Sequence, residues 1–261
     1  MDALQEQGVA LFAISYDPVD VLQTFAASHG ITYPLLSDVG SATIRRLGML
    51  DEDLERHHAE FGISTRDDQR GVAYPGVFLI DRNGVVVKKR FQKNYRIRDT
   101  GTGLLEAVLG VPATERDVEQ TVQRGVVRAQ LSLDSPAYRP YQQLQLAAVL
   151  TIHAGWHVYA MPVPEGYTPL SLEVMPVQGL EVGRVTWPES HPFRVEGLDE
   201  QFFVLESTVR GTVPLTFAFP PGAGTQTVRA AIRYQACSTT ECLRPGEVRF
   251  ELLVPEMPRV E

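Results

Sequence analysis

The chain has 261 residues, 44% apolar and 21% charged, with a formal net charge of −8. That length accommodates two modest domains or one large one, and no run approaches the roughly eighteen apolar residues that a membrane helix requires. The acidic balance argues against a nucleic-acid partner, which needs a basic face.

The opening Met1-Asp2-Ala3-Leu4-Gln5-Glu6-Gln7 is polar and acidic and does not read as an export signal. Val9 to Ser15 is a continuous apolar run, as expected of a strand buried on both faces. Asp17-Pro18 predicts a helix cap followed by a proline in the first turn. Val21, Leu22 and Phe25 form the apolar face of that helix, and Gly30 ends it. Val77 to Ile80 reads as a second buried strand, Asp81-Arg82-Asn83-Gly84 as a hairpin turn and Val85 to Phe91 as the returning strand. Leu104 to Leu109 is a closing helix stopped by Gly110. These elements predict an α/β domain over residues 1–110, and the polar stretch from Thr114 to Gln123 falls in a linker over 111–123, with a short helix as its one candidate element.

Beyond it, β-type runs alternate with Gly and Pro. They are Val126–Leu133, Leu144–Ile152, Trp156–Ala160, Leu170–Val174, Phe202–Val209, Val213–Phe219, Val228–Ala236 and Val248–Val254. Strands at this spacing predict an all-β, immunoglobulin-like sandwich over residues 124–256. The chain's two cysteines, Cys237 and Cys242, sit between the last two runs, near the tip of a predicted hairpin. Opposed residues of antiparallel strands have Cα atoms about 4.5–5.5 Å apart, within the range a disulfide accepts. Closing so short a loop stabilises by only about 2 kcal/mol, against nearly 5 for a loop of about 100 residues. A zinc site needs three or four ligands, and this segment offers two cysteines and no histidine; no metal or other cofactor is expected. Spacing alone leaves a structural staple and a redox pair equally open.

Tyr234-Gln235-Ala236-Cys237, with Cys242 five positions after Cys237, resembles the N-terminal domain of the thiol:disulfide interchange protein DsbD and related reductases. Gly155-Trp156-His157-Val158-Tyr159-Ala160, Glu181 to Trp187 followed by Pro188, and Val213-Pro214-Leu215 resemble the same family in the same order. The resemblance implies an extracytoplasmic, periplasmic domain. Its Cys237–Cys242 pair would relay electrons between a membrane reductase and other thiol–disulfide redox proteins. It also implies a short aromatic-bearing loop shielding the pair, matched here by Asp199-Glu200-Gln201-Phe202-Phe203. One of Phe202 and Phe203 would lie over the sulfurs and alternation would turn the other into the core; a plain strand containing both is an equal alternative. Asp199, Glu200 and Glu241 would disfavour a nearby thiolate. Trp156, His157 and Tyr159 read as strand and core residues, and His153 and His191 carry no assigned role.

The first half resembles peroxiredoxins of the AhpC/TSA type through Val9 to Asp17, Tyr33-Pro34-Leu35-Leu36-Ser37-Asp38 and Gly71 to Asp81. The resemblance implies a thioredoxin-like fold and a cis proline at Pro75 facing the active site, with an ordinary trans proline as the alternative. This family's nucleophilic cysteine precedes Val9, yet no cysteine occurs before Cys237. Met1 to Gly8 reads as the tail of the active-site helix, so the thioredoxin-like domain is expected to be incomplete, the product of a start set too far downstream or of fragmentation. Peroxidase chemistry, which needs a thiolate, is not expected of the chain as given. The expected function is thiol–disulfide exchange. The alternatives are an immunoglobulin-like binding module with a structural disulfide, and a fragment of a longer thiol peroxidase.

Overall fold

The computed structural model describes the chain except for residues 1–3, 5, 61, 93, 95, 112–117, 195–200 and 259–261. It divides into two compact units, Met1–Arg96 and Ile97–Glu261.

In the first unit, β1 (Ala13–Ser15) lies parallel to β2 (Leu35–Ser37), with Ile14 opposite Leu36. The helix α1 (Val19–His29) connects them. Two short helices follow, α2 (Ala42–Arg46) and α3 (Leu54–Ala59), then a 3-10 turn at Asp67–Gln69. The strands β3 (Gly76–Ile80) and β4 (Val86–Phe91) close the unit as an antiparallel hairpin. Among the described residues, β1–β2 and β3–β4 are separate two-stranded sheets. This overturns the expectation of doubly buried strands. With one neighbour and little cover, β1 leaves Ile14 41% exposed, and Phe12 just before it is 57% exposed.

Gly30 ends α1 as predicted, with φ of 62° and its N–H bonded to the Ala26 carbonyl. Asp17 does not cap it: the carboxylate instead accepts a 2.5 Å hydrogen bond from the Ser15 hydroxyl, and Pro18 stands at the cap position. Only Leu22 of the predicted apolar face is buried, while Val21 and Phe25 are exposed. In the hairpin turn the positive φ falls on Gly84 alone, and the Asp81 carboxylate accepts the N–H groups of Asn83 and Val85 at 2.9 Å.

The Tyr74–Pro75 bond is trans; the cis bond among the described residues is Met161–Pro162. The expected cis geometry at Pro75 is thereby corrected. Tyr74 N–H donates to the Met49 carbonyl at 2.7 Å and the Pro75 carbonyl accepts from Gln92 N–H at 2.9 Å. A trans bond is the ordinary preference for a residue before proline.

The second unit begins with β5 (Arg98–Asp99) and the helix α4 (Gly101–Leu109). Its other strands are β6 (Val118–Arg124), β7 (Val127–Leu133), β8 (Gln142–Ile152), β9 (His157–Ala160), β10 (Ser171–Val174) and β11 (Leu180–Val182). They continue with β12 (His191–Arg194), β13 (Gln201–Glu206), β14 (Thr208–Phe217), β15 (Gln226–Tyr234), β16 (Ala236–Cys237) and β17 (Gly246–Val254). The predicted closing helix is therefore α4 of the second unit, upstream of the expected boundary at Gly110. Thr100 caps it by accepting from Gly103 N–H at 3.0 Å and donates to the buried Asp134 carboxylate. Glu106 on the same helix pairs with Arg210 of β14 at 2.5 Å. The expected linker also contains β6, paired with β7; residues 112–117 lie outside the described part. An edge strand buries one side at most, so a run as polar as Glu119-Gln120-Thr121-Val122-Gln123 can form one.

The strand orders are β11-β14-β8-β7-β6, with β5 also on β8, and β10-β15-β17. These two sheets share one core. Val127, Leu131, Leu146 and Leu150 come from the first and Val228, Ile232, Phe250 and Leu252 from the second. Alternation turns Arg229 and Arg233 outward, onto Glu251, Glu173 and Glu247. A third sheet, β12-β13-β9-β16, carries a smaller apolar cluster. The single run expected over Phe202–Val209 is split by Ser207 at φ 60°, which ends β13 and starts β14. No helix among the described residues is long and apolar enough to cross a membrane.

Candidate redox site

The strand β15 belongs to the three-stranded sheet and β16 to the four-stranded one, so the chain changes sheets at Gln235. The buried Gln235 amide fixes that crossing. Its oxygen accepts from Thr168 N–H and its nitrogen donates to the Leu243 carbonyl, both at 3.1 Å. Ala236 and Cys237 then pair with Val158 and His157 of β9.

A tight turn follows. Ser238 N–H donates to the Glu241 carbonyl at 2.8 Å, and the Ser238 hydroxyl accepts the N–H groups of Thr240 and Glu241 at 3.2 and 3.1 Å. One residue outward, Leu243 N–H donates to the Ala236 carbonyl at 2.9 Å. Cys237 and Cys242 face each other between these two bonded pairs, the position where opposed side chains come closest. Their Cα atoms are 4.1 Å apart and they form a disulfide. The hairpin read from the sequence is present, and its geometry follows from the turn hydroxyl and the Gln235 clamp.

The two halves of the bond differ. Cys237 is fully buried with Tyr159, Phe202 and Val204, flanked by Val163, Tyr167 and Phe193, whereas Cys242 is exposed. The Tyr159 hydroxyl lies 3.6 Å from Cys242 Sγ. Burial, then the neighbouring Tyr167 phenol, pushes the Tyr159 pKa up to about 12, so it remains a protonated donor at neutral pH.

Phe202 and Phe203 both belong to β13. Phe202 is fully buried, its ring centroid 5.1 Å from that of Tyr159 and 4.9 Å from that of Tyr167. Phe203, one position on, is half-buried and turned to the other face by alternation. Of the predicted pair, Phe202 alone joins the buried cysteine's cluster. Asp199 and Glu200 lie outside the described residues, and Glu241 is exposed in the turn. Pro75 belongs to the first unit. Tyr159, a core residue by its sequence pattern, also reaches a sulfur, and Gln235 carries no sequence mark of its anchoring role beyond its place in the chain. The one sequence signal for them is position: Tyr159 shares the alternation of His157, and Gln235 stands two residues before Cys237. Among the described residues no group of three or more His, Cys, Asp or Glu side chains is arranged to hold a metal.

Residues 1–89 match the family model for the AhpC/TSA family, and residues 128–254 match that for thiol:disulfide interchange protein DsbD, N-terminal. Among solved structures, the chain is similar to the N-terminal periplasmic domain of ScsB from Proteus mirabilis. Identity there is 12%, coverage 54% of this chain and 51% of that one, and the TM-score 0.39. It is also similar to the reduced DsbD N-terminal domain of Neisseria meningitidis, at 14% identity, 43% and 82% coverage and a TM-score of 0.30. A third is the yeast GGA1 GAE domain, at 10% identity, 53% and 99% coverage and a TM-score of 0.29. The chain thus spans about half the length of the first of these structures. No curated protein matches it.

Proposed function

We propose that the second unit is an immunoglobulin-like domain that performs dithiol–disulfide exchange, with Cys242 as the sulfur that meets partners and Cys237 as the resolving cysteine. The observation that carries this reading is the asymmetry of the pair, Cys242 exposed and Cys237 inside the small aromatic cluster. Thiolate attack needs access to the sulfur attacked. A partner thiolate therefore adds to Cys242 Sγ, the Cys237–Cys242 bond breaks, and Cys237 leaves with the electron pair and takes a proton. A second partner thiolate then attacks the partner's sulfur in the mixed disulfide and releases Cys242, leaving the partner oxidised. The reverse sequence oxidises the pair.

The family match at residues 128–254 supports thioredoxin-type redox proteins and a membrane reductase as partners, and the periplasm as the compartment. The test is the reduction potential together with partner trapping. We expect a potential above about −300 mV, the region below which structural bridges tend to lie. Cys237→Ser should accumulate a mixed disulfide on Cys242, and Cys242→Ser should abolish exchange with the fold retained. A lower potential, or unfolding of both serine variants, would establish the bond as a staple in a binding module.

A further inference from the structure

We propose that His157 is the proton acceptor for Cys237 when the reduced pair is reoxidised. This rests on the exchange reading above and names the group that serves its buried half. In the strand ladder Cys237 has Cys242 on one side and His157 on the other. Residues directly opposite one another in a ladder share a face of the sheet, so the imidazole and both sulfurs stand in one row. His157 is 2% exposed, and among the described residues its Nε2 has no hydrogen-bond partner. An unsatisfied buried nitrogen is destabilising, and packing alone would be better served by a phenyl ring.

The row continues outward. Glu206 of β13 is directly opposite His157. Its side chain is 46% exposed and lies 3.6 Å from His191 Nε2 on β12. The titratable groups facing the imidazole are thus Cys237, Glu206, His191 and, on its own strand, Tyr159; Phe193 packs against the ring at 4.5 Å. Burial holds the imidazole below its ordinary pKa, with Glu206 raising it and His191 lowering it. At neutral pH it is the unprotonated base.

The chemistry closes with a partner disulfide as oxidant. The Cys242 thiolate attacks one partner sulfur, the partner S–S bond breaks, and the released thiolate takes a proton from water. The Cys237 thiol then passes its proton to His157 as its sulfur attacks Cys242 Sγ. The Cys237–Cys242 bond forms, the bond from Cys242 to the partner breaks, and the partner sulfur leaves with the electron pair and is protonated by solvent. Two electrons have moved to the partner, and His157 returns its proton to water past Glu206.

The test mixes the reduced full chain with one equivalent of 5,5′-dithiobis(2-nitrobenzoate) and follows thionitrobenzoate by stopped flow. The first release reports attack by Cys242 and the second reports resolution by Cys237. In the natural chain the second rate should rise with pH through an inflection below about 6.5, the unperturbed histidine value. His157→Gln should slow the second phase at least ~10-fold at pH 7, at the low end of what a positioned base contributes, leave the first phase unchanged, and recover at alkaline pH. Glu206→Gln, at an exposed position, should move the inflection to lower pH. A second phase in His157→Gln identical to the natural chain at every pH overturns the proposal. If that variant does not fold, an unmoved inflection in Glu206→Gln overturns it. Fewer than two equivalents released by the natural chain would instead remove the exchange reading, and this assignment with it.

Discussion

Phe202 and Tyr159 each meet one half of the cysteine pair, Phe202 beside Cys237 and the Tyr159 hydroxyl near Cys242. Phe202 shares the buried cluster with Cys237 and stacks its edge on Tyr167. Phe202→Ala should cost about 3–5 kcal/mol, as truncation of a buried phenylalanine does, and should speed alkylation of the reduced pair by iodoacetamide. Lost stability with an unchanged alkylation rate would make Phe202 a packing residue and no shield. Tyr159 places its hydroxyl on the exposed sulfur. A donor there favours the Cys242 thiolate, so Tyr159→Phe should slow alkylation of reduced Cys242 at pH 7 roughly fivefold, the equivalent of one net hydrogen bond of about 1 kcal/mol. The same measurement in Cys237→Ser isolates Cys242; an unchanged rate there would show that the hydroxyl does not act on the thiolate.

At the scale of elements, the hairpin depends on a strand that leaves one sheet and enters another. Gln235 joins β10's approach at Thr168 to the residue after Cys242, so both ends of the hairpin hang on one amide. Gln235→Ala leaves Thr168 N–H without that partner and should cost about 1–3 kcal/mol. Urea unfolding should show this as a lower midpoint at unchanged slope. The pairing of β15 with β17 was legible from alternation, because each buries one face against the main core. β6 was not legible, since an edge strand can be polar on nearly every residue. Nor was the break at Ser207: serine rarely adopts φ near 60°, and the apolar run through it looks continuous.

Across the whole molecule the two units differ in what they bury. Among the described residues the first unit buries only the apolar side chains of Leu22, Ile44, Met49 and Leu54, while the second has a core built from two facing sheets. Since burial of apolar surface is the main stabilising term, the first unit should open first. Limited proteolysis should leave a resistant fragment beginning near Ile97, because β5 and α4 are bonded into the second unit. A fragment beginning near Thr121 would show that α4 is dispensable, and equal resistance of residues 1–96 would contradict the burial argument.

By itself the sequence determined the α/β start, the β-rich remainder and the hairpin bearing Cys237 and Cys242. All three depend on local chemistry: apolar period, turn residues, and a cysteine spacing that strands accept and a helix does not. Only the tertiary structure decided that α4 and β6 belong to the second unit, that Pro75 is trans, and that Cys237 is buried while Cys242 faces solvent. β6 pairs with the adjacent β7, and the others are set by partners distant in the chain, Asp134 and Arg210 for α4, Met49 and Gln92 around Pro75, Tyr159 and Phe202 around Cys237. Burial and backbone pairing are properties of what a residue meets after folding. Two cysteines of identical chemistry five positions apart therefore acquire different accessibility only when β9 and β13 close over one of them.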